Sequence, residues 1–401
     1  MDYRIKNIEA GTVTSVQGFV AGAFEAGIKK QNVLDLAILY SKTPCTAAAV
    51  YTTNFIKSAP VLINQQHLRD RKAQAIVVNS GCANACTAER GMADAEEMAR
   101  SAAKKLGIAP LDVLIASTGV IGIPLPMDKI NKGIDKVALT EDGGHELARA
   151  MMTTDTFAKE IAIQVEAEPK GFTIGGVAKG AGMIHPNMAT MLCFLATDAV
   201  VDAKFLQSAL RKAVDSSFNM ISVDGDTSPS DMVAILANGL ARNQPLNKKN
   251  GEFFQKALDE VCLYLAKSIA RDGEGATKLI EVVVEGATSK TEARLAARII
   301  ASSPLVKTAI HGNDPNWGRV VSALGRSGAK VIEAKLDAYL NHICVMKQGH
   351  PLSFDKQQAS ASLNSKEVLL RVNLNLGQGK AIAWGCDLSA EYVNINSAYT
   401  T

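Results

Sequence analysis

Apolar residues recur along the chain in two rhythms. Short, partly β-branched runs at 33–40, 47–52, 75–78 and 112–116 read as strands. Residues 88–106 are Ala-rich and charged with a helical spacing. Gly107 closes that helix, because glycine takes the left-handed cap conformation without a Cβ clash. Residues 127–138 and 145–152 carry shorter helical patterns, and Ser117-Thr118-Gly119-Val120-Ile121-Gly122 reads as a loop with two glycines. Residues 161–166 and 172–177 predict a hairpin turning at Glu168-Pro169-Lys170-Gly171.

The second half repeats the alternation after an unusual stretch. Residues 179–189 are turn-rich and without period, and they run into an apolar strand at 190–197. Residues 204–215 form a helix with Leu206, Leu210, Ala213 and Val214 on one face. Residues 254–269 form a longer one, striped by Phe254, Leu258, Val261, Leu265 and Ile269. Strands are expected at 278–284 and 331–345 with a helix at 291–300 between them, then a hairpin of 368–376 and 380–386 turning at Gly377-Gln378-Gly379. Hairpins mixed with helices predict a layered α/β fold with mixed sheets.

Composition narrows the function class. The 401 residues hold 43 Lys+Arg against 40 Asp+Glu, a net charge of +3, too balanced for a general nucleic-acid or membrane-surface binder. No apolar run approaches the roughly 18 residues of a membrane span, and Met1-Asp2-Tyr3-Arg4-Ile5-Lys6 lacks the apolar stretch of a signal peptide. Seven cysteines without CxxC or Cys/His spacing read as reduced thiols, so a cytoplasmic protein without a metal is expected.

The glycines after Lys179 fit neither phosphate-binding pattern. A Walker loop places its lysine last, before Ser or Thr and a helix, and a dinucleotide fingerprint needs a third glycine and a helix. What remains is a flexible approach to Thr190 at the start of a buried strand. Threonine there is ordinarily a β-former. It becomes a nucleophile when cleavage before it frees an α-amine to act as its base. His185 lies close, but that amine makes a Thr–His pair unnecessary.

These residues resemble the ornithine acetyltransferase, or glutamate N-acetyltransferase, family. The resemblance covers nearly the whole chain: Lys179 to Leu192, ending Asn187-Met188-Ala189-Thr190-Met191-Leu192; Asn79 to Thr87; Ser117 to Gly122; Thr153-Thr154-Asp155-Thr156; Asp224 to Ser228; Arg271 to Lys278; Gly312 to Arg319; and Asn394 to Thr401. It implies a self-cleaving architecture with an N-terminal threonine nucleophile. The cut falls between Ala189 and Thr190, leaving an α chain of 1–189 and a β chain of 190–401, two of each in the assembly.

The implied reaction moves acetyl from N2-acetyl-L-ornithine to L-glutamate through acetyl-Thr190, in the cyclic route of arginine biosynthesis. Some members also take acetyl-CoA, as a substrate and not a resident cofactor; no cofactor is implied. Thr118 and Gly119 are the implied oxyanion hole. Thr153, Lys179, Thr190, Glu274, Asn396 and Thr401 are the implied substrate contacts, with Thr154 the alternative to Thr153. The competing reading is a self-cleaving aminopeptidase or amidase, in which water takes the acyl group. A third is an inactive scaffold with Thr190 left internal.

Overall fold

Nine strands share the larger of two sheets in the computed structural model, which describes residues 3–29, 32–168, 170–185 and 191–398. In chain order they are β1 (Tyr3–Asn7), β2 (Phe19–Phe24), β3 (Leu36–Tyr51), β4 (Lys72–Cys82), β5 (Val113–Val120), β6 (Lys159–Ala167), β7 (Phe172–Lys179) and β8 (Leu192–Thr197). After the short β9 (Ile221–Ser222) of the second sheet comes β10 (Met232–Ala237). Across the sheet they run β1-β6-β7-β8-β10-β3-β4-β5, with β2 beside β3. The second sheet adds β11 (Leu279–Ala287), β12 (Asp337–Leu340), β13 (Ile343–Lys347), β14 (His350–Pro351), β15 (Glu367–Asn373) and β16 (Gly379–Cys386), in the order β14-β13-β12-β15-β11-β16-β9. Both sheets mix parallel and antiparallel pairs, as the mixed α/β pattern predicts.

Helices cover both faces of the larger sheet. Ala75, Val77, Val113 and Ile115 pack with α1 (Ala59–His67), α2 (Ala88–Leu106) and α3 (Met127–Lys136), while their neighbours Ile76, Val78 and Leu114 face α4 (Gly144–Met151). Burial on both faces is why these strands are unbroken apolar runs and not alternating ones. Cys193 and Leu195 of β8 and Val233 and Ile235 of β10 point instead to α5 (Ala203–Ser216) and α6 (Glu252–Arg271). The α6 stripe Phe254, Leu258, Val261, Leu265 and Ile269 is fully buried there. That core continues through α7 (Lys290–Ala301) to the second sheet. Next come α8 (Pro304–His311), α9 (Trp317–Gly325), α10 (Lys356–Leu363) and α11 (Ala390–Ala398).

Four expectations change. The runs at 33–40 and 47–52 belong to one strand, β3, with a bulge between Tyr40 and Cys45; its first half pairs with β2 and its second with β10. Thr118 and Gly119 lie within β5, not in a loop, because they stay in parallel register with Ser80 and Gly81. Residues 331–345 are a 3-10 turn and the β12–β13 hairpin, reversed at Asn341 with φ 50°. The 368–386 segment is not a hairpin: β11 fits between β15, its parallel partner, and β16, its antiparallel one. The glycine connection there crosses the end of β11, where a Cβ on Gly377 would lie 2.6 Å from the Ala287 carbonyl oxygen.

Candidate functional site

Strands β7 and β8 are neighbours, Lys179 opposite Leu192, and the long connection between them carries the candidate chemistry. Ala189 and Thr190, and Thr401 at the chain's end, lie outside the described residues. The described part of the connection is firmly held. The Asp224 carboxylate accepts the Met183 N–H at 2.6 Å and the Ile184 N–H at 2.8 Å, and Asp155 accepts the Gly180 N–H at 2.6 Å. A cavity of about 110 Å³ opens beside it.

Lys179 lines that cavity. Its Nζ donates to Thr153 Oγ1 at 2.7 Å and to Thr118 Oγ1 at 3.4 Å, and lies 4.0 Å from Asp155 Oδ2. Thr118 and Lys179 come from opposite halves of the sheet order, so the sheet must curl to bring them together. Gly119 follows Thr118 with φ 127°, a region that favours glycine, and a Cβ there would sit 2.6 Å from the Gly81 carbonyl oxygen. Both residues line the cavity, as does Thr154. Across from them, Glu274 accepts the Asn396 amide at 2.7 Å, and its backbone N–H donates to the Ala181 carbonyl at 3.0 Å. A side chain at Gly182 would strike the Glu274 carboxylate, 2.5 Å from Oε2.

Beneath the cavity is a charge network that pattern reading missed. Lys159 Nζ donates to Asp155 Oδ1 at 2.7 Å and Asp272 Oδ2 at 2.5 Å, and its side chain is wholly buried. Asp155 also accepts the Thr153 N–H at 3.0 Å, and Asp272 accepts both the N–H and the hydroxyl of Thr156. Burial alone raises the Asp155 carboxyl, but Lys179, Lys159 and the Gly180 N–H outweigh it and hold it at about 2. Burial lowers Lys179, while Asp155 pulls the other way. The available signal was the i,i+4 spacing of Asp155 and Lys159, with Asp155 and Asp272 inside the motif strings.

Two further groups lie close by. Asp231 lines the cavity, and burial pushes its carboxyl well above the usual range, against a hydrogen bond from Ser228 and the attraction of Lys179. His185 is committed elsewhere: its Nδ1 meets Ser222 Oγ at 2.9 Å and its Nε2 meets the Arg298 guanidinium at 3.0 Å. Burial, then Arg298, depresses it to about 4, so it is a neutral imidazole. Among the described residues no His, Cys, Asp and Glu group is arranged to hold a metal ion, and no helix is long and apolar enough to cross a membrane.

Hydroxyls gathered on a buried cation, a glycine-lined strand end and an acid–amide pair around one small cavity define a layered α/β acyltransferase. The ArgJ family model matches residues 20–401, and the chain belongs to the ArgJ family. It is 58% identical over 396 residues to the arginine biosynthesis bifunctional protein ArgJ of Dehalococcoides mccartyi, covering 98% of each chain. It is 52% identical to that of Symbiobacterium thermophilum, covering 98% of this chain and 99% of the relative. The ornithine acetyltransferase of Mycobacterium tuberculosis, crystallised with ornithine, is 39% identical, with 47% of this chain and 100% of that one covered at a TM-score of 0.43.

Proposed function

We propose that this chain transfers acetyl from N2-acetyl-L-ornithine to L-glutamate in arginine biosynthesis, with the Thr190 hydroxyl holding the acetyl group between the two half-reactions. The observation that carries the site assignment is Lys179, a buried cation shared by the Thr118 and Thr153 hydroxyls on the wall of one small cavity. Bifunctional ArgJ relatives of nearly full length support the reaction.

Cleavage between Ala189 and Thr190 gives a chain of 1–189 and one of 190–401. The freed α-amine, with an unperturbed pKa near 8, takes the proton of Thr190 Oγ as that oxygen attacks the acetyl carbonyl. The carbonyl oxygen becomes an oxyanion, and Thr118 and Gly119 are its donors. One such donor is typically worth about 3 kcal/mol. Lys179 pairs with the substrate α-carboxylate, next to Thr153. Glu274, oriented by Asn396, receives the substrate's cationic end, and Thr401 is a further substrate contact. Acetyl-CoA serves as a second donor, as a substrate and not as a bound cofactor. The working unit has two copies of each chain and acts in the cytoplasm.

The test uses Thr190. Thr190→Ala lacks the hydroxyl needed for the acyl shift and should run as a single band of 42.5 kDa, where the native protein gives two bands. Chains 1–189 and 190–401 expressed together, the second starting with Ala, have the free amine but no hydroxyl. Acetyl transfer at the native rate by that pair would remove Thr190 as nucleophile. Initial-rate lines for acetylornithine and glutamate should be parallel, as a free acetyl-enzyme requires.

A further inference from the structure

One carboxyl in the cavity takes no part in these steps. Asp231 is 3% exposed and lines the cavity, and its Oδ2 has no hydrogen-bond partner among the described residues. Ser230 beside it is 8% exposed, and its Oγ is likewise without a partner. Buried polar atoms in folded proteins are nearly always bonded, so unpaired ones on residues that line a cavity suit a ligand that enters it. The wall that carries them is rigid. Asp231 O accepts the Thr52 N–H at 3.0 Å, Pro229 O accepts the Ser58 N–H at 3.0 Å, and Ser228 O accepts the Thr52 hydroxyl at 2.8 Å. The next residue, Met232, donates its N–H to Met191 O at 2.9 Å, which ties Asp231 to the residue that follows Thr190 in the chain.

The reaction leaves a proton to be placed. The amide nitrogen of acetylornithine must gain two protons to leave as an ammonium, and the Thr190 hydroxyl supplies one. Incoming glutamate arrives as an ammonium and must lose two. We propose that Asp231 is a catalytic residue that faces the transferred amine and carries the second proton. In the first half-reaction the C–N bond of the acetamide breaks and the Thr190 O–C bond forms. The hydroxyl proton reaches the leaving nitrogen through the terminal amine, and the neutral Asp231 carboxyl gives the other. The products are acetyl-Thr190, an Asp231 carboxylate and ornithine as its ammonium. In the second half-reaction Asp231 takes one proton from glutamate's ammonium and the terminal amine takes the other. The N–C bond forms, the ester bond breaks, and Thr190 and Asp231 are restored to their starting states. Charge balances in both halves.

Burial supports this order, because it pushes the Asp231 carboxyl well above the usual carboxylate range; the charged group that opposes this is Lys179, and the Ser228 hydroxyl and N–H oppose it through hydrogen bonds. The inference rests on the acetyl-transfer reading, and the test separates the two. The native two-chain enzyme and Asp231→Asn are acetylated with p-nitrophenyl acetate, whose phenolate leaves without a proton, and with acetylornithine, whose amine does not. Asn has the shape of the neutral carboxyl, so the fold should be kept. The ester burst should stay within about twofold of native, while ornithine release falls by about 10²-fold or more. Equal rates in both assays, or a proportional loss in both, would overturn the role. If Asp231→Asn is not processed, Asp231→Glu is measured the same way. Its amide-to-ester rate ratio should fall below native, and an unchanged ratio counts against the proposal. If the native enzyme accepts the ester but not acetylornithine, the donor assignment fails. Asp231 is then judged on deacylation by glutamate, which should be slowed in Asp231→Asn and which, if unslowed, removes it.

Discussion

Lys179 shows how much one side chain's role depends on its neighbours. As a buried ammonium it would be costly, but two hydroxyls and the Asp155 carboxylate surround it. On the proposed pairing of Lys179 with the substrate carboxylate, Lys179→Met should lower kcat/KM by on the order of 2 kcal/mol or more through loss of that charge-assisted hydrogen bond. Processing is quantified on the same sample, and unchanged kinetics in fully processed enzyme would remove Lys179 from the site. His185 gives a pH prediction with a definite sign. Its folded value is about 4 against an ordinary 6.5, so between those values the unfolded chain binds a proton and the folded one does not. Stability should therefore fall as pH drops from about 6.5 to about 4. His185→Gln should flatten that slope in urea denaturation at a series of pH values. Equal slopes in the two proteins would assign the effect to other groups.

At the scale of elements, the end of the β4–β5 pair is built on glycine. Gly81 and Gly119 are in register with φ of 111° and 127°, and no Cβ fits between the two strands at Gly119. Gly122 shares the positive φ, at 81°, but has open space around it. Gly119→Ala should cost about 2 kcal/mol or more and also depress acetyl transfer. Gly122→Ala carries only the backbone strain and should cost about 1 kcal/mol. Thermal unfolding of both variants checks this, and equal costs would mean the close approach to Gly81 contributes nothing.

At the scale of the molecule, β8 and β10 are inserted between β7 and β3. Strands on either side of the proposed cut are thus interleaved in one sheet, with β7 and β8 paired from Ile174↔Thr197 to Lys179↔Leu192. A cleaved protein should co-elute as one species in native chromatography and separate only under denaturing conditions; separation by salt alone would contradict this. The Lys159 network joins three regions of this frame: residues 153–156, the end of β7, and the loop after α6. Lys159→Met leaves Asp155 and Asp272 short of a buried partner and should cost about 3–5 kcal/mol. Lys159→Met with Asp272→Asn removes one charge of each sign and should recover part of that loss in denaturant unfolding. A double variant no better than the single would show that geometry, not charge balance, sets the cost.

The sequence by itself determined the family and most of the local elements. The strings around Lys179, Thr153, Thr118 and Glu274 carry the family, and their members meet at one cavity. The 3.6-residue stripe placed α6, and Gly107, at φ 70°, ends α2 where the sequence put its cap. These are legible because a helix or a glycine cap depends on residues a few positions apart. Only the tertiary structure decided that β11 separates β15 from β16, that β3 is one strand with two sets of partners, and that β5 reaches Lys179. Periodicity states which face of a strand is buried, not which distant strand covers it. The same holds for Lys159, Asp272 and Asp231, which read as ordinary charges along the chain. Their environment comes from residues that are distant in sequence: Lys179 and Lys159 hold the Asp155 carboxyl low against its burial, while burial pushes the Asp231 carboxyl up.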